Sequence, residues 1–243
     1  MNSSIEESFS KLTKMIANTF QVMQEYLKEN QYDFLSLIDG LFRFVGWTKA
    51  LEVLLDHQIM MTDSIPKELE DKILLSEDVP KLIEEFFTEN NQNRLNKVIQ
   101  RCQEAPQMEK HQVLFSQALA AYHIELYQIA CMGLFAIADE LLSSLSGIYK
   151  PKDEKRMKEI ADKININTPL AEFDFDLWSA YFALSKEDNT FYDFHGFDGE
   201  EPHTLNRHWT MHGRSTRDYK KIDFIRVLLW IDALTRLDEF KGE

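Results

Sequence analysis

Apolar residues recur along most of this chain at the three- and four-residue spacing of helices. In residues 5–55 the series Phe9, Leu12, Ile16, Phe20 and Met23 is followed by Leu35, Ile38, Leu41, Phe42 and Val45. Breaks fall at "KENQYD" and "DSIPKE", and two further amphipathic segments, "EDVPKLIEEFFTEN" and "NQNRLNKVIQRCQ", end before Pro106. Residues 1–105 are therefore expected to form a helical N-terminal region without a catalytic grouping. Its charges read as solvated helix faces.

Residues 106–243 read as a second helical domain. "MEKHQVLFSQALAAYHIELYQIACMGLFAIADELLSSLSG" places two apolar helices that meet near His123–Glu125, with Gly147 as the C-cap of the second. From Tyr122 onward this segment is apolar nearly all round, so it should be a central, buried helix. Asp139 and Glu140 interrupt it. Adjacent residues project about 100° apart on a helix, so the two carboxylates cannot face one neighbour, and a buried one needs a cation. "YKPKDEKRMKEIADKIN" then reads as a short basic helix and "PLAEFDFDLWSAYFALSK" as an amphipathic one. "EDNTFYDFHGFDGEEPH" has no usable period and is expected to be an irregular loop, a type of segment that often carries function. From Asp218, read as an N-cap, "YKKIDFIRVLLWIDALTRLDEF" should form a long terminal helix burying Ile222, Ile225, Leu229 and Leu237.

Composition reinforces an all-α helical bundle. Only 8 Gly and 6 Pro in 243 residues leave little punctuation for short strands and turns. The two cysteines, Cys102 and Cys131, lack metal spacing and read as buried, reduced thiols. The N-terminus is polar and acidic, unlike a secretory signal, and Asp139 and Glu140 break the best apolar run, so no membrane span is expected. A cytoplasmic location follows as an expectation.

Charge singles out one region. The formal net charge is -14, which argues against a protein that coats nucleic acid. Yet residues 203–226 hold Arg207, Arg214, Arg217, Lys220, Lys221 and Arg226 against only Asp218 and Asp223. Three of the seven histidines, His203, His208 and His212, lie in the same stretch. His208 and His212 are four apart and would share a helix face, a spacing that suits a metal pair, with His195, His203 or Asp198 as further ligands. Trp209 stands where a metalloprotease would place its general-base Glu. Arg207 and His212 make a different pair. Cleaving a phosphodiester needs a cation on the phosphate and a group that moves a proton near neutral pH, and Arg and His meet both demands. Residues five apart on an ideal helix lie about 140° apart, so a long side chain, a helix start or a site shared by two subunits must close the gap.

"NRHWTMHG" resembles the R-x4-6-H motif of HEPN domains, the higher eukaryote and prokaryote nucleotide-binding superfamily. Arg207 and His212 fill the named positions, and His208 fills the polar position that follows the arginine. "ALAAYHIELYQIACMGLFAIADELL" is similar to the paired helices of that family, where an acid on the central helix supports the motif. The likeness covers about residues 113–147 and 204–237. It implies an all-helical domain that dimerises so that two arginines and two histidines line one cleft, and metal-independent RNA cleavage without a cofactor. It implies Arg207, His212 and His208 as catalytic residues and Asn206, Asp139 and Glu140 as supporting ones; the local basic surplus adds Arg214 and Lys221, and the stacking capacity of an indole adds Trp209, as expected contacts to RNA. Toxin and defence effectors belong to this family, so an antitoxin or regulatory protein is a further expected partner. Arg214 departs from one subgroup, the toxins paired with nucleotidyltransferase antitoxins, which carry Tyr two residues past the histidine. Two rival readings stand beside this one: an inactive HEPN-like interaction and dimerisation module, and a metal-dependent hydrolase built on His208 and His212.

Overall fold

The structure, a computed structural model, describes residues 46–149, 153–163, 191–192 and 196–237. Among the described residues it is all-helical and contains no strand. Helix α1 covers residues 46–56. A 3-10 turn at Lys67–Leu69 leads into α2 (Glu70–Leu75) and α3 (Val79–Glu104), and a second one at Pro106–His111 leads into α4 (Gln112–His123). Then follow α5 (Tyr127–Ser146), α6 (Asp153–Lys163), the short α7 (Arg207–Met211) and α8 (Lys221–Arg236). The helices expected before residue 46 and at "PLAEFDFDLWSAYFALSK" lie outside the described residues.

Local chemistry explains the boundaries. The Asp78 carboxylate caps α3 by accepting the Lys81 N–H at 3.0 Å, with Pro80 in the first turn where its missing N–H costs nothing. Within α3 the backbone turns left-handed at Asn90, Asn91 and Gln92 (φ 51, 56 and 61°), at the junction where the apolar pattern also breaks. Asn tolerates this region because its short amide bonds locally. The turn between α4 and α5 falls where the pattern placed it. Leu126 N–H reaches Ala121 C=O at 2.9 Å and Glu125 N–H reaches Tyr122 C=O at 3.0 Å, a Schellman motif with Glu125 at φ 61°. Gly147 ends α5 at φ 74°, a conformation that glycine adopts without strain.

Helix α5 lies at the centre, packed on α4 and α8 and flanked by α6 and α7. A Cβ on Gly133 would meet the Ala118 Cβ at 3.0 Å, so the missing side chain is what lets α5 approach α4 so closely. By length and mean hydropathy α5 alone among the described residues would suffice to cross a membrane. Most of it is covered by its neighbours here, as in the core helix of a bundle. The core runs from Trp47 to Leu237 as a single cluster. Both sides of residue 105 contribute to it, since α3 packs on α8.

The terminal helix differs from expectation in two ways. Its N-cap is Lys220, not Asp218: the Asp223 carboxylate reaches back to the Lys220 N–H at 2.9 Å, and Asp218 is exposed in the preceding loop. The carboxylate sits better three residues inside the helix, where it meets an orphan donor and the positive end of the dipole. Second, α8 is buried almost all round rather than on one stripe. Ile222, Ile225, Leu229 and Leu237 are buried as expected, but so are Asp223 and Asp232. Asp232 is held by Arg101 of α3 (Nη2 to Oδ2 2.7 Å), which also meets Asp63 at 3.2 Å, and Arg236 adds a contact to Asp63 at 2.6 Å. Burial pushes the Asp232 carboxyl up, and the Arg101 bonds work against that shift.

Candidate functional site

Helix α7 carries the motif and is fixed from both ends by buried polar groups. Asn206 is buried and caps the helix, its Oδ1 accepting the Trp209 N–H at 3.2 Å. The fully buried Thr210 hydroxyl donates to the Asn206 carbonyl at 2.6 Å and lies 2.7 Å from the Tyr219 hydroxyl. Just upstream, the buried Gln58 amide clamps Leu205 on both sides, donating to its C=O at 2.7 Å and accepting its N–H at 2.8 Å. The Arg207 N–H donates to the Phe191 carbonyl at 2.6 Å. A five-residue helix has little stability of its own, so these anchors set its position.

The two acids of α5 part company. Asp139 forms the ion pair with Arg207, whose Nη2 donates to its Oδ2. Glu140 turns instead to Lys110 and to His111 (Nε2 2.8 Å), and accepts the Ser144 hydroxyl at 3.1 Å. Burial would raise the Glu140 carboxyl, but these hydrogen bonds outweigh it and hold it below its ordinary value. Asp139 is therefore the acid that meets the motif, and Glu140 does not reach it.

Arg207 Nη1 also donates to His208 Nδ1 at 3.2 Å. Arginine only donates, so this nitrogen must accept, and a neutral His208 ring carries its proton on Nε2. Asp139, Arg207 and His208 thus form one constellation at the α5–α7 contact, with about a fifth of the Arg207 side chain open to solvent.

His212 lies elsewhere. It is the C-cap of α7, exposed, and its ring packs edge-on against Phe197 at 5.1 Å between centroids. Phe197 also meets Trp209 edge-on at 5.6 Å and carries the Arg214 guanidinium 4.6 Å above its ring. Three residues singled out from the sequence are therefore gathered by a fourth that was not. Phe197 sits in the loop without a period, and only its aromatic character beside two glycines hinted at a role. Lys221, half-buried, occupies the first turn of α8.

No family model, curated protein or solved structure matches this chain. Functional meaning must come from the side chains themselves. Among the described residues no three His, Cys, Asp or Glu side chains converge as a metal site, and His195 lies outside them. His208 turns to Arg207 and His212 to Phe197, so the metal pair expected from their spacing has no third ligand among the described residues. Cys102 and Cys131 are buried free thiols, both pushed well up by burial, as unreactive groups would be.

Proposed function

We propose that the protein is an endoribonuclease of the HEPN type that cuts single-stranded RNA without a metal ion. What supports this reading is the Asp139–Arg207–His208 constellation at the contact of α5 with α7, partly open to solvent, together with the exposed His212 at the C-cap of α7. Asp139 fixes the Arg207 side chain, so a scissile phosphate meets a cation already in place rather than a mobile one. His208 supports Arg207 through Nδ1. His212 moves the proton: its imidazole takes it from the ribose 2′-hydroxyl as that oxygen bonds to phosphorus. The P–O5′ bond then breaks, and the leaving oxygen takes up the proton that the His212 imidazolium gives back, which restores the neutral ring. The products are a 2′,3′-cyclic phosphate and a 5′-hydroxyl end.

Arg207 and His212 turn to different neighbours within one chain, which favours a site completed by a second copy. The Trp209 ring, beside Phe197, offers a face for a base, and Arg214 and Lys221 add positive charge around it. Such an activity suits a toxin or defence effector, restrained by an antitoxin or regulatory protein. Substitution tests the reading: Arg207→Ala and His212→Ala should each abolish cutting of mixed single-stranded RNAs, with helical circular dichroism unchanged. His212 is exposed, so loss of activity there reports chemistry rather than folding. Undiminished cutting by either variant removes the proposal.

One observation favours the inactive interaction module as a second reading. The ion pair to Asp139 and the backbone bond to Phe191 make Arg207 a tie between α7 and the core. On that reading Arg207→Ala lowers thermal stability, and wild-type protein shows no cutting to lose.

A further inference from the structure

A cleft of about 600 Å³ opens at the start of α8 and is lined by His203, Arg217, Lys220 and Arg226 together with Glu201 and Asp223. Acids and cations line it in similar number, Asp218 included, but their hydrogen-bonding capacity is not balanced. Glu201 is taken up by Ser215 and Thr216: it accepts the Ser215 hydroxyl, the Thr216 N–H at 2.8 Å and the Thr216 hydroxyl at 2.9 Å. Asp223 gives Oδ2 to the Lys220 N–H at 2.9 Å. Its remaining oxygen, Oδ1, serves two guanidiniums at once, Arg226 at 2.8 Å and Arg217 at 3.4 Å.

Two arginines therefore share one carboxylate oxygen. Arg217 Nε and Nη1 and Arg226 Nε are buried and meet no acceptor among the described residues. Both side chains are largely covered, 21% and 12% exposed. Burying a guanidinium with unused donors is costly, and the cost falls when an acceptor of negative charge arrives. Burial also pulls the Arg226 guanidinium below its ordinary value, against the favourable field of Asp223. Lys220 and His203, both exposed, stand at the rim. A phosphate group matches this wall: its several oxygens accept from two forked guanidiniums, and a small side-chain rotation presents their unused N–H groups to it.

We infer that this cleft binds a phosphate group, held by Arg217 and Arg226 and steered by Lys220 and His203. The site is separate from Arg207 and His212 and stands whether or not those residues cut RNA. The phosphate can be free, terminal on a nucleotide, or internal to an RNA strand, and the three sources call for three probes: inorganic phosphate, a nucleoside monophosphate, and an oligoribonucleotide without a terminal phosphate.

Thermal unfolding of the full chain with each probe, against sodium chloride at matched ionic strength, tests the inference. At about 100 times Kd a bound probe should raise Tm by roughly 5–10 °C, and the probe that acts at lowest concentration identifies the source. The shift should fall by more than half in His203→Gln/Lys220→Gln, whose side chains lie at the rim, and vanish in Arg217→Gln. It should persist in Arg207→Ala. No shift beyond chloride with any probe overturns the site. So does a shift that survives the rim and Arg217 substitutions, or one that disappears only with Arg207→Ala, since the phosphate would then sit at the motif.

Discussion

Arg207 and Asp139 hold each other between α7 and α5, each about four-fifths covered. Partial burial strengthens their mutual attraction but costs both ions hydration, and breaking one side strands the other. Asp139→Asn should therefore lower stability by about 1–3 kcal/mol, seen as a fall in denaturant midpoint, and reduce RNA cutting by releasing Arg207. Glu140→Gln should leave cutting intact, because its partners are Lys110 and His111. Equal loss of activity in both variants would contradict the division of labour between these acids. The sequence narrowed the supporting acid to two adjacent residues and went no further. Which carboxylate meets Arg207 depends on the rotation of α5 against a helix 68 positions later, and no local pattern records that.

At the scale of elements, the turn from α4 to α5 shows both what a hydrophobic pattern reveals and what it hides. The break near His123–Glu125 was legible, but the left-handed residue in it is a glutamate, not the glycine that such a turn prefers. Glu125→Gly should stabilise the protein by about 1 kcal/mol, raising Tm by roughly 2–4 °C, because it removes a Cβ penalty at positive φ. An unchanged or lower Tm would show that the Glu125 side chain compensates for its backbone. Gly147 was legible as a C-cap because glycine has few other reasons to follow an apolar helix. The start of α8 was misplaced by two residues. Asp218 and Asp223 both look like N-terminal signals, and only the bond from Lys220 N–H to Asp223 separates them. Buried Asp223 and Asp232 were missed for a related reason: their arginine partners include Arg101, on another helix, and a charge in sequence reads as surface until its partner is found. Phe197 was missed because it lies in a loop where periodicity says nothing.

For the whole molecule, an acidic chain carries one basic region, and that region is less basic than a count of residues makes it. Arg207, Arg217 and Arg226 pair with Asp139 and Asp223. Arg214, Lys220 and Lys221 add charge outside these pairs, a surplus that on the proposed function would suit a short strand rather than the coating of a duplex. Arg207 and His212 face different neighbours, so on the proposed function they would meet one phosphate in a site shared between two copies. Mixing Arg207→Ala with His212→Ala subunits should then restore about a quarter to a half of wild-type cutting, since a mixed dimer keeps one intact composite site. Mixtures as inactive as either variant alone would place both residues of each site in one chain. The claim that RNA cleavage is the activity is tested most directly by the ends it leaves. Purified wild-type protein, incubated with single-stranded RNA in excess EDTA, should yield fragments with 2′,3′-cyclic phosphate and 5′-hydroxyl ends. RNA left intact, or cutting that stops in EDTA and returns with zinc, would contradict the roles assigned to Arg207 and His212.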